Sequence, residues 1–203
     1  MKIENTFKIL TIILFIFSFK VNSQTIVIKE DNVKLKFIKS KKASKIINSS
    51  SVYIKSKKLK RILVKIKMKS LNNKKQIFDP NKFSLIDFNY KLRYKPTDIL
   101  FQNLTDWWHF EKISKTKPKR KFNKRIYSPD INDTFLDYKF EGIKNVIIPI
   151  NFATKKKPDI HIIHFKPKKL RSRNIYIYFP FPKELKNAVL YYGNEKITNI
   201  NFK

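Results

Sequence analysis

The chain has 203 residues, with 46 Lys and Arg against 15 Asp and Glu, for a formal charge of +31. It contains no cysteine, which excludes disulfide staples, thiolate metal sites and a cysteine nucleophile. Its only glycines are Gly142 and Gly193, too few for a Gly-rich phosphate cradle.

With 42% hydrophobic and 14% aromatic residues, the chain can bury one core as a single domain. Its first 23 residues run in the order of a secretory signal peptide. Lys2 and Lys8 precede an uncharged apolar run from Ile9 to Phe19, followed by Lys20 and Val21-Asn22-Ser23. Lys20 interrupts that run before it reaches the ~20 apolar residues of a membrane span. Cleavage after Ser23 would remove Lys2, Lys8, Lys20 and Glu4 and leave a charge of +29. The expectation is a secreted or periplasmic protein whose residues 24–203 form one domain.

From Gln24 onward, Val33, Leu35 and Phe37 alternate with Lys34, Lys36 and Ile38, and Asp31-Asn32 marks a turn before them. This predicts one or two opening strands. Residues 39–51 are Ser- and Lys-rich and predict a loop, and Val52–Ile54 predicts a short strand. In the next segment Ile62, Val64, Ile66 and Met68 alternate with Leu63, Lys65, Lys67 and Lys69, as a half-buried antiparallel strand requires. Asn72-Asn73 and Asp79-Pro80-Asn81 are turn residues. Two strands follow, Phe83–Asp87 and Tyr90–Tyr94, joined near Phe88-Asn89.

The order of these features resembles a family of exported bacterial proteins of unknown function that share an immunoglobulin-like, telokin-like β-sandwich. The matching positions are Val64, Ile66, Asn72, Asp79, Phe83, Leu85, Asp87 and Tyr94. The sequence departs from that pattern at Asn89, where a Gly is usual, and in lacking a lipid-anchor Cys. The resemblance implies a fold and an exported location, and it brings no catalytic residues.

Between residues 99 and 133 the strand rhythm breaks into a long basic connection. It carries Trp107-Trp108-His109-Phe110 and then a run from Lys112 to Arg125. Strands resume at 135–140, 145–152, 160–165, 175–179, 188–192 and 197–202. Gly193 suits the first central position of a type II′ turn between the last two. Eight to ten strands without long intervening helices predict an all-β fold, an immunoglobulin-like two-sheet antiparallel β-sandwich.

No motif for catalysis, a metal or a cofactor emerges. His161 and His164 lie three apart and would point to opposite faces of a strand, so they do not form a metal pair. Asp130, Asp133, Asp137 and Glu141 are the densest acids, and in so basic a chain they are expected to pair with Lys and Arg or to cap turns. A Ser-His-Asp set finds no recognisable elbow. Adjacent residues on a strand face opposite ways, so one of Trp107 and Trp108 is expected in the core.

The strongest functional hint is the set of basic runs, which sum to a field attractive to polyanions. The candidate binding residues are Trp107, Trp108, Lys115, Lys117, Lys119, Arg120, Lys121, Lys124 and Arg125. The expected role is a non-enzymatic exported module that contacts an anionic glycan, lipid head group, envelope surface or protein partner. The alternatives are a nucleic-acid-binding β-barrel, which export argues against, and a hydrolase of unrecognised type.

Overall fold

The computed structural model describes residues 25–43, 58–103, 106–119, 125–153 and 156–202. The expected signal peptide and the short strand at 52–54 lie outside these residues. The chain is an all-β sandwich. In chain order the strands of its two main sheets are β1 (Thr25–Ile28), β2 (Val33–Lys42), β3 (Leu59–Ser70), β4 (Phe83–Asp87), β5 (Leu92–Tyr94) and β6 (Asp98–Gln102). They continue with β7 (Trp107–His109), β8 (Lys144–Val146), β9 (Ser172–Pro182), β10 (Asn187–Tyr192) and β11 (Glu195–Asn201).

One sheet has the order β1-β2-β3-β9-β6-β7 and the other β8-β5-β4-β10-β11, and among the described residues neither closes into a barrel. Every pairing within the two sheets is antiparallel except β8 on β5. Short ladders link the remaining segments: 76–78 with 168–170, 112–114 with 125–127 and 164–165, and 150–151 with 160–161.

Alternation builds the core. Ile62, Val64, Ile66 and Met68 of β3 and Ile175, Ile177, Phe179 and Phe181 of β9 point inward, and all are fully enclosed. They meet Phe83, Leu85, Leu190 and Ile197 of the second sheet. The central strand β9 tolerates Pro180 because β6 pairs only as far as Tyr178, so the missing N–H falls beyond that ladder.

The final hairpin turns at Gly193 with φ +59°, the left-handed conformation a II′ turn needs at that position. The ring of Tyr138 packs on it so closely that an added Cβ would sit 2.9 Å from a ring carbon.

Four expectations are corrected. Residues 39–42 belong to β2, which carries a bulge between Phe37 and Lys39. The basic connection at 99–133 is not strandless: the apolar run Ile99-Leu100-Phe101 lies in β6 and pairs with β9, and Trp107–His109 forms the edge strand β7. The segment expected as a strand at 135–140 instead opens with a short helix, α1 (Thr134–Asp137), because the Asp133 side chain accepts the Phe135 N–H as an N-cap. The strands expected at 145–152 and 160–165 are each two short pieces, and Pro149 interrupts the first.

Candidate functional site: a lysine-faced sheet

The acids are too few to neutralise the surface, and most of the aspartates are spent inside. Asp98 is wholly enclosed and accepts from Lys112 Nζ at 2.7 Å, His109 Nδ1 at 3.1 Å and Arg61 Nη2 at 3.5 Å. Burial alone would raise its carboxyl, but the His109 hydrogen bond and the Lys112 charge hold it below the usual range.

Asp133 meets Lys95 Nζ at 2.6 Å and His164 Nδ1 at 3.3 Å. Here too burial is outweighed, by the His164 hydrogen bond and the Lys95 charge, and the carboxyl sits at about 2. Asp79 caps the turn at Asn81 and accepts from Thr134 Oγ1 at 2.6 Å. Asp31 bridges the first hairpin to Lys82 Nζ and Tyr192 Oη, each at 2.6 Å.

A third enclosed cluster looks like a catalytic relay. Ser114 Oγ lies 2.9 Å from His161 Nδ1, and His161 Nε2 lies 2.6 Å from Asp159 Oδ1. The serine is 1% exposed and its oxygen accepts the Thr116 N–H, so it is not presented to a substrate. The set instead ties the small ladders together. His161 and His164 are both buried, lie in two separate short strands rather than on opposite faces of one, and go to different aspartates.

With most of the aspartates drawn inside, the outer face of the first sheet along β2 and β3 is lined by lysine. Register places Lys34 of β2 opposite Lys69 of β3, Lys36 opposite Lys67, and Lys39 opposite Lys65. All point away from the core, and all but Lys65, which is half-buried, are exposed. Among the described residues none of these lysines has an ion-pair partner. Like charges directly opposite on a sheet are destabilising, and the structure repeats that arrangement in three consecutive rows.

The middle row runs on across the sheet from Lys36 and Lys67 to Asn174, Gln102 and Trp107. A shallow groove of about 330 Å³ opens there, lined by Lys67, Gln102, Asn103, Ser172, Arg173 and Asn174. Trp107 packs edge-on against Tyr176 with ring centroids 4.3 Å apart, Lys65 lies over the same tyrosine ring, and Tyr176 Oη donates to Gln102 Oε1 at 3.1 Å.

The expected binding residues are dispersed. Trp107 and Trp108 are 42% and 50% exposed on opposite faces of edge strand β7, so neither is the core residue expected of the pair. Trp108 has Lys168 over its ring. Lys115, Lys117 and Lys119 are exposed, and Arg120, Lys121 and Lys124 lie outside the described residues. Arg125 is corrected: it is buried and bonded to Asp159 at 2.8 Å, which removes it from any surface site.

The lysine rows escape a reading of the sequence because each strand alone shows only an ordinary wet face. No protein-family model, curated protein or solved structure matches the chain.

Proposed function

We propose that the chain is one of the exported bacterial proteins with an immunoglobulin-like, telokin-like sandwich, and that it acts as a non-enzymatic module binding a polyanionic envelope component. The observation that carries this reading is the stack of opposed pairs Lys34–Lys69, Lys36–Lys67 and Lys39–Lys65 on an open sheet face. Such a stack lowers the stability of the free protein, and a polyanion laid across it would relieve the repulsion. The amino-terminal order of charge, apolar run and small residues supports export.

Two measurements test it. Amino-terminal sequencing of protein recovered outside the cytoplasm should begin at Gln24. Titration of the purified protein with heparin should give an affinity that falls steeply between about 50 and 200 mM salt. Absence of binding at low salt refutes the module, and binding indifferent to salt refutes its electrostatic basis.

A further inference from the structure

We infer that the polyanion is an acidic polysaccharide and that the groove beside Trp107 is a subsite for one of its sugar rings. The inference rests on the polyanion reading and adds the ligand class.

The lysine rows form a grid of about 4.8 Å between strands and about 7 Å along them. Ammonium groups on flexible stems are point charges without a fixed fork, suited to carboxylates or sulfates spaced along a polymer. Charge alone would serve any polyanion, so the discrimination lies where the grid ends.

Beyond Lys67 the row becomes Asn174, Gln102 and Trp107, a pair of amides and an indole. Amides beside a single aromatic ring are what a sugar needs: hydrogen-bond partners for hydroxyls and an apolar surface for a ring face. Single-stranded nucleic acid instead needs successive aromatic platforms along its path. Tyr176, the aromatic residue nearest Trp107 on this face, is only 8% exposed, its ring covered by Trp107 and Lys65. A lipid surface would use the charge and leave the groove idle.

The subsite is also fixed before a ligand arrives. Tyr176 Oη holds Gln102 Oε1, which turns the amide NH2 of Gln102 outward as a donor. The edge-on contact with Tyr176 holds the Trp107 ring in place, and the Asn103 N–H donates to Asp106 O at 2.8 Å beside it. Preorganisation of this kind lowers the cost of binding.

The test uses the full chain with Trp108→Phe, which leaves Trp107 as the fluorescent reporter, and three probes: polygalacturonate, oligothymidylate and phosphatidylglycerol vesicles. Polygalacturonate should shift the Trp107 emission saturably. In the otherwise unchanged protein, Trp107→Ala should weaken polygalacturonate about tenfold without altering its salt dependence, the scale of a single aromatic anchor. Binding of the other two probes should not change.

Gln102→Ala should also weaken polygalacturonate selectively, which separates loss of the subsite from misfolding at Trp107. If Trp107→Ala and Gln102→Ala weaken all three probes equally or none, the sugar subsite is refuted while the polyanion reading stands. The subsite is refuted in the same way if oligothymidylate or vesicles bind and polygalacturonate does not. If none of the three binds at low salt, both readings fail.

Discussion

Replacing Lys67 with Glu should make the protein more stable while weakening its grip on polyanions. Lys67 faces Lys36 across the ladder and has Lys65 and Lys69 two residues away on its own strand, on the same face. At a separation of about 7 Å, two unit charges in water repel by about 0.6 kcal/mol, so reversing one changes each pairwise energy by about 1.2 kcal/mol. With a Debye length of about 8 Å at physiological salt, roughly two fifths of that survives. Three neighbours then give a ceiling of about 1.5 kcal/mol, and cross-strand pairs measured at about 0.2–1 kcal/mol bring the expectation to roughly 1 kcal/mol.

For a domain of this size that is a rise of about 2–4 °C in the thermal midpoint, read by circular dichroism. The gain should be larger at low salt and disappear near 1 M, where the Debye length is about 3 Å. Lys196→Glu, at an exposed lysine of β11 paired with Tyr191, serves as the control and should raise the midpoint less. A Lys67→Glu midpoint equal to or below that of the unaltered protein at low salt would show that the lysine rows carry no stored repulsion.

Two further substitutions probe the enclosed aspartates. Asp98→Asn leaves Lys112 and Arg61 without their buried counter-charge and should cost about 3–5 kcal/mol in urea unfolding. Adding Lys112→Met should recover part of that loss, and no recovery would mean the pair is not the cause. Asp133, held at about 2 against an ordinary 3.8, contributes stability that is fully present above pH 4 and is lost as pH falls through 2. The shift corresponds to about 2 kcal/mol. Unfolding free energies measured between pH 4 and 2 should therefore fall less steeply for Asp133→Asn, and parallel curves would refute this assignment.

Much of the sandwich was legible because burial imposes a period on the chain. Ile62 to Met68 and Val33 to Phe37 alternate strictly, and the turn residues Asp31-Asn32, Asp79-Pro80 and Gly193 fall where the chain reverses. What sequence does not carry is register between strands far apart. Lys34 and Lys69 read as two ordinary solvent-facing lysines until β2 and β3 pair and bring them opposite one another.

The same holds for the aspartates. Asp133 finds Lys95 and Asp159 finds Arg125 only through folding, which is why the run ending at Arg125 reads in sequence as one exposed patch. The helix at 134–137 was hidden because its signal is one capping aspartate before a single turn, too short for periodicity to register. The edge position of the Trp pair depends on where the first sheet ends, which no local pattern states.

The place of β9 has a consequence for how the molecule assembles. Its 11-residue strand sits between β3 and β6, yet it begins at Ser172, roughly a hundred residues after the β3 strand it pairs along its whole length. Synthesis runs from the amino terminus, so β2 and β3 can meet early while the far edge of β3, with Ile62 to Met68 beside it, waits for nearly the whole chain. During that interval an unpaired apolar edge invites a second copy to add itself. The lysines of β2 and β3 line the other face of the same hairpin, and like charge there opposes the approach of a second such half-formed sheet.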